Sequence, residues 1–484
     1  MEATESCLEI GRLARDALYD RFRSRLVTNP DLDRTLVSFQ ANRDLPFYRW
    51  LKYKEAFSAE FVRYAIRELS GSTGVMLDPF AGIGTALFAA RRLGWDTIGI
   101  EVLPVGFFAI EARLAAESIG AKKFKRELDR VDHIKWESYW DPKFKLAHVP
   151  ITERAFPPRI ERSIAGYRAY CHRIKDGNLR KLFELACLSV LEAVSYTRKD
   201  GQYLRWDHRA GKSRTRSNFD KGEIVSFDSA IRRKLFEIYA DLSSDDGTQY
   251  GLFKPVVEER QIGSVDLRRG SCLDILPTIE ESSVDLVVTS PPYCNRYDYT
   301  RTYALELAYL GTSADEIKAL RQQMLSCTVE NKAKVAQLRA LYQRCGQNAV
   351  FDRVVRVFER QRAIREVLNI LREFGASGKL NNANIPNMVE NYFLEMAFVV
   401  YELGRILRRG GKIVMVNDNV RYTGEEIPVD LILSDFAESS GMQTQCIWTL
   451  ARGKGNSSQQ MGVHGRSELR KCVYVWQKTR GCTE

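Results

Sequence analysis

Two groups of residues in this chain have the types and spacing to do chemistry. The first is Ser290-Pro291-Pro292-Tyr293. It follows Val284–Thr289, a short apolar, β-branched run of the kind that forms a buried strand. Two prolines cannot continue a central strand, so the chain leaves the sheet there on a rigid backbone. A hydroxyl, prolyl carbonyls and an aromatic ring are thereby presented at a strand's carboxyl end, where open α/β sheets place ligands. The second group is Asp78-Pro79-Phe80-Ala81-Gly82-Ile83-Gly84-Thr85, followed at a distance by Glu101. Gly82 and Gly84 let the backbone approach a ligand closely. Glu101 ends a second apolar stretch and offers a carboxylate suited to the two hydroxyls of a ribose.

The elements that must position these residues follow from periodicity. Val75–Leu77 reads as a strand, Asp78–Thr85 as a turn, Ala86–Leu93 as a helix and Thr97–Ile100 as the next strand. Ser58 is the expected N-cap of a helix carrying Phe61, Val62, Ala65, Ile66 and Leu69 on one side. Val105–Ala116 is helical by spacing. A doubly wound domain would then supply its next strand, but a long block intervenes before Val265–Arg269. Gly270–Leu276 reads as a turn entering a helix. Beyond the Pro-Pro turn, Asn391–Leu407 is an amphipathic helix with Gly410-Gly411 as its expected stop. Lys412–Val416, Thr444–Leu450 and Lys471–Gln477 read as strands and Ile427–Ser440 as a helix. The expected segments are a helical N-terminus (1–41), a core in three pieces (42–116, 263–312, 389–484) and two insertions (117–262, 313–388).

The net charge of +11 suggests a polyanionic partner. That charge is concentrated in Thr197–Ser217, where Arg198, Arg205, Arg209, Lys212 and Arg214 are interleaved with Trp206. Guanidiniums pair with phosphates and read guanine edges, and aromatic rings stack on exposed bases, so these six are candidate nucleic-acid contacts. A second arginine series between 333 and 371 reads equally as a solvated helix face or a backbone-binding surface. The ten cysteines are scattered, without a C-x-x-C pair or a Cys/His cluster, so neither a metal site nor a disulfide scaffold is expected. No apolar run reaches membrane-spanning length, and a cytoplasmic, nucleoid-associated protein is the expectation.

Together, Asp78–Thr85, Glu101 and Ser290–Tyr293 resemble the S-adenosylmethionine (SAM) motif and the catalytic motif of the DNA amino-methyltransferases. The resemblance covers about 42–116, 263–311 and 391–478. It implies a Rossmann-like class I methyltransferase sheet, mostly parallel with a terminal antiparallel hairpin, interrupted by two large, mainly helical insertions. It implies SAM held by Asp78, Pro79, Phe80, Ala81, Gly82, Gly84, Thr85 and Glu101. Asp274 would accept from the adenine amine, and the segment Lys54-Glu55-Ala56-Phe57-Ser58 would fold over the methionine end, while Tyr297, Asp298 and Tyr299 would help shape the base pocket. Ser290, Pro291, Pro292 and Tyr293 would act on the exocyclic amine of a base flipped out of double-stranded DNA. Ring-carbon chemistry needs a cysteine directly after a proline, whereas Cys294 follows Tyr293. Serine at the first motif position is more typical of cytosine-N4 than of adenine-N6 enzymes, so cytosine-N4 leads and adenine-N6 is the alternative. An RNA base methyltransferase, or a non-catalytic nucleic-acid binder on the same fold, are the remaining readings. The resemblance also implies a restriction-modification setting, with a cognate endonuclease or defence protein as partner. The long block before Val265 departs from the usual arrangement and leaves target recognition in the first insertion, the second, or both.

Overall fold

The computed structural model describes residues 13–200, 203–212, 219–244, 262–450 and 469–479. Twelve strands fall within them: β1 (Leu26–Thr28), β2 (Val75–Asp78), β3 (Asp96–Glu101), β4 (Thr197–Asp200), β5 (Tyr203–Trp206), β6 (Val265–Arg269), β7 (Val284–Thr289), β8 (Leu407–Asp418), β9 (Val420–Tyr422), β10 (Glu425–Ile427), β11 (Met442–Thr449) and β12 (Lys471–Lys478). Eight form one sheet in the order β1-β11-β12-β8-β7-β2-β3-β6. The five strands from β8 to β6 are parallel throughout. β12 runs antiparallel between β8 and β11, the expected closing hairpin, and β1 adds a parallel edge strand.

The central parallel strand β7 is apolar on both faces and buries five of its six residues, whereas the edge strand β6 buries none. From β2 the chain winds outward through β3 to β6, then crosses back to β7 on β2's other flank. The crevice past the carboxyl ends of β2 and β7 is therefore the switch point of the sheet. Both chemical motifs lie there.

Ser58 caps the helix Ala59–Leu69, its hydroxyl accepting from the Phe61 N–H at 3.0 Å. The helix Ile385–Ile406 differs from its amphipathic reading and is buried on nearly every side. It fills the space between the sheet and the helices Asn348–Arg360 and Arg362–Ala376. The second insertion is thus part of the main core, burying Ile364, Val367 and Leu371. Helix Leu13–Phe22 packs on it, and Arg15 pairs with Glu366 at 2.5 Å.

The first insertion forms helices Ala121–Val131, Pro158–Arg173, Gly177–Val194 and Phe227–Ser244. Their core of Phe124, Tyr167, Leu182 and Phe183 runs without a break into Leu103 and Val105, beside the site. One expectation is corrected. Gly410-Gly411 does not stop a helix. The helix ends at Ile406 and β8 begins at once, with a bulge between the pairs Val284↔Leu407 and Leu286↔Lys412. Gly410 takes φ +83° inside that bulge, which favours glycine there. Within the basic stretch, β4 and β5 form an antiparallel hairpin.

Candidate active site

Pairing of β2 with β7 sets Met76 opposite Leu286 and Leu77 opposite Val287. That register carries Asp78 and Thr289 to the same end of the sheet. There the Thr289 hydroxyl donates to Asp78 Oδ1 at 2.7 Å, and the Phe80 N–H donates to the same oxygen at 3.1 Å. Burial pushes the Asp78 carboxyl up to about 7. The two sequence motifs are thus joined by one side-chain hydrogen bond at the switch point.

The glycine loop is shaped by Glu101. Its Oε2 accepts from the Gly82 N–H and its Oε1 from the Leu103 N–H, each at 2.6 Å. Burial pushes its carboxyl up to about 8. Gly82 sits at φ +56°, and a Cβ there would stand 3.2 Å from the Tyr53 ring. A Cβ on Gly106 would meet the Gly82 carbonyl at 2.4 Å, so a glycine is also needed where helix Pro104–Glu117 crosses the loop.

Between these features lies a cleft open to solvent. Its wall takes Asp78, Pro79, Phe80, Ala81, Gly82, Thr85 and Glu101 from the first motif and Ser290 and Pro292 from the second. Phe57 also lines it. The Thr85 hydroxyl is buried with no partner, a polar atom left for a ligand.

Other expected residues are placed differently. Ser58 is consumed by the helix cap and by donating to the Leu36 carbonyl at 2.6 Å. Gly84 is absent from the wall and turns the chain at φ +78° into helix Thr85–Arg91. Asp274 is also absent; it bonds towards Gln337, and burial raises its carboxyl. The wall beside β6 is made instead by Gly270, Ser271 and Cys272, because the four-residue helix that follows turns Asp274 away. Pro291 is buried and Tyr293 half-buried, both outside the wall. The Ser290 Oγ lies 3.4 Å from the Tyr293 hydroxyl, whose ionisation is pushed up by burial and by nearby Asp418.

Tyr53, Glu55 and Tyr299 also line the wall; the sequence reading placed Glu55 in the segment expected over the methionine end and Tyr299 near the base pocket, and missed Tyr53. Glu55 accepts from the Tyr303 hydroxyl at 2.5 Å and from the Tyr297 hydroxyl. Tyr53 and Tyr303 stack with centroids 4.8 Å apart. The run Tyr297–Tyr303 close after the Pro-Pro turn was the signal for Tyr299.

The basic hairpin is attached to this wall from outside. On its inward face Lys199 pairs with Glu306 at 2.6 Å, both almost wholly buried, and its Nζ stands 4.0 Å from the Tyr303 ring centroid. On the other face Arg198 and Arg205 are opposed in register, both against the Phe219 ring, and Arg205 also reaches Asp200 at 3.3 Å. Like charges directly opposite destabilise a strand pair. Lys212 lies over Trp206 and donates to the Pro150 carbonyl at 2.7 Å. Arg209 is committed to the fold: it donates twice to buried Asp207, each at 2.7 Å, and to the Gly222 carbonyl. That pairing holds the Asp207 carboxyl well below the usual carboxylate range. His208 has Asp207 and Asp220 beside it, but Arg209 already occupies Asp207. Arg214, and the expected loop 452–468, lie outside the described residues. No described helix is long and apolar enough to cross a membrane.

Known proteins are similar to this chain in sequence. The DNA methylase family of N6 and N4 enzymes matches residues 33–105, which span the cap segment, the glycine loop and Glu101. The type II methyltransferase M.AvaI of Nostoc sp. is 45% identical over 477 residues, covering 97% of this chain and 94% of that protein. M.BsoBI of Geobacillus stearothermophilus, also a type II methyltransferase, is 40% identical over 465 residues, covering 92% and 88%. At that identity and coverage, the chain belongs to the DNA amino-methyltransferases and is an enzyme that methylates DNA.

Proposed function

We propose that this enzyme uses SAM to methylate the N4 amine of a cytosine flipped out of double-stranded DNA, as the modification partner of a restriction endonuclease. The observation that carries the reading is the Thr289–Asp78 hydrogen bond, which joins the Ser-Pro-Pro-Tyr strand to the glycine-loop strand on one cleft. The residues present fit SAM. Glu101 offers a carboxylate at the end of β3, the Thr85 hydroxyl lacks a partner, and Gly82 leaves room that a Cβ would take. Bound there, SAM supplies an electrophilic methyl on a sulfonium.

The remaining chemistry belongs to the chain. A cytosine N4 is a poor nucleophile because its lone pair is delocalised into the ring. The Ser290 hydroxyl and the Pro291 carbonyl accept its two hydrogens and favour a tetrahedral nitrogen with a localised pair. This is positioning with electrostatic stabilisation rather than covalent catalysis. The nitrogen pair forms the new N–C bond, the S–C pair returns to sulfur, and the surplus proton passes to solvent. Tyr293 stacks on the base. Flipping costs roughly a few kcal/mol, offset by contacts such as those of Arg198, Arg205, Trp206 and Lys212 with the backbone. Serine rather than an acid or amide at position 290 supports cytosine over adenine.

Duplex DNA incubated with methyl-labelled SAM, digested to nucleosides and weighed by mass spectrometry tests this. Labelled N4-methylcytosine is expected. N6-methyladenine would overturn the base assignment, and label in RNA alone would overturn the substrate.

A further inference from the structure

Among the described residues, the cleft wall carries three acidic side chains, Glu55, Asp78 and Glu101, and no lysine, arginine or histidine. Two of the three are engaged by the fold. Glu101 accepts two backbone N–H groups, and Asp78 accepts from Thr289 and Phe80. Glu55 is different. It is half-buried, and each of its oxygens accepts one phenol, from Tyr303 at 2.5 Å and from Tyr297. Burial pushes both phenols far above their ordinary range, so they are neutral donors to Glu55.

The nearest cations are spoken for. Lys54 donates to the Lys199 carbonyl at 2.6 Å, Lys199 pairs with Glu306, and Glu55 has no ion pair with any described residue. Around Glu55 the wall is aromatic. Tyr53 stacks on Tyr303, and Tyr299 packs against Tyr297 with centroids 4.9 Å apart. A fixed carboxylate among tyrosine faces attracts a weakly hydrated cation by charge and by the ring quadrupoles together.

We propose that Glu55, clamped by Tyr297 and Tyr303, is the counter-charge to the sulfonium of the methyl donor and is the residue that separates donor from spent product. The inference rests on SAM as cofactor. Methyl transfer returns an electron pair to sulfur and leaves a neutral thioether, S-adenosylhomocysteine. A wall built for the cation favours the donor and lets the product go. The α-ammonium and carboxylate are common to both molecules and give no such discrimination.

Calorimetry of full-length protein without DNA, with SAM, S-adenosylhomocysteine and sinefungin, tests this; sinefungin carries an ammonium in place of the methylated sulfur. Wild-type protein is expected to bind SAM and sinefungin more tightly than the thioether. Glu55→Gln should weaken both cationic ligands by about tenfold and leave the thioether within about twofold. Tyr297→Phe, which keeps the carboxylate and removes one clamp, should move the same ratio by less, and guards against a Glu55→Gln variant that misfolds. All three ligands weakening together, or none, would overturn the proposal. Wild-type protein binding the thioether as tightly as SAM would also overturn it, while leaving the cofactor assignment intact. Binding of none of the three by wild-type protein would remove that assignment first.

Discussion

The cleft and the hairpin Thr197–Trp206 handle charge in opposite ways. The cleft buries acids and excludes cations from its wall, while the hairpin sets Arg198 against Arg205 across two strands. The opposed arginines cost stability unless a ligand of opposite sign arrives, whereas in the cleft burial raises the carboxyls of Asp78 and Glu101 so that they hold protons. On the proposed reading, the cleft takes a cationic small molecule and the hairpin a polyanion. What joins them is the Lys199–Glu306 pair, neutral overall and closed to water, packed on the Tyr303 ring that itself holds Glu55.

The largest expected effect breaks that joint. Removing one partner of a buried pair costs about 3–5 kcal/mol. Lys199→Met should therefore lower the denaturant midpoint far more than any change on the outer hairpin face. An unchanged midpoint would mean that the two regions are not coupled through this pair. Gly82→Val comes next. Its left-handed backbone and the Tyr53 ring beside it strain any side chain, at about 1–2 kcal/mol. The affinity for SAM, measured by calorimetry, should fall about tenfold, and DNA affinity should not move.

The hairpin sharpens the comparison. Arg198→Ala with Arg205→Ala should flatten the dependence of log DNA affinity on log salt by about 0.9 for each phosphate no longer neutralised. Arg209→Ala should instead lower the melting temperature with little change in that slope, because its guanidinium is tied to Asp207. A steep slope retained in the double variant would move the DNA-binding surface elsewhere.

A further effect is in pH. Asp78 and Glu101 ionise at about 7 and about 8 in the fold, against ordinary carboxylate values near 4. The folded chain therefore holds protons that the unfolded chain releases. The stabilisation this gives the ligand-free protein is fully present below pH 4 and lost as pH rises through 7 to 8. A cation prefers the ionised carboxyls, so SAM affinity should rise a few-fold over the same upper range. Denaturant titrations and calorimetry at pH 6 and pH 8 check the two signs.

Local signals carried much of this molecule. The β-branched run ahead of Ser290, the cap at Ser58 and the glycine loop each depend on a few adjacent residues, and each forms as read. What escaped depends on distant partners. Gly410-Gly411 looked like a helix stop because a bulge needs knowledge of the facing strand. Asp274 and Ser271 sit three apart on one short turn, and spacing alone does not say which faces the cleft. Arg209 looked free in a basic run because a charge run hides which member an acid has claimed. Glu55 meets its two tyrosines across 242 and 248 residues of chain, a pairing no local pattern announces.

The central claim is a division of labour across one cleft, with the glycine loop holding the donor and the Ser-Pro-Pro-Tyr turn holding the base. Tyr293→Ala tests it most directly, by SAM calorimetry beside single-turnover methylation of duplex DNA. Methylation should be lost, by about a hundredfold or more, with SAM affinity within about twofold of wild type. Methylation retained at the wild-type rate, or SAM affinity lost along with it, would contradict the account.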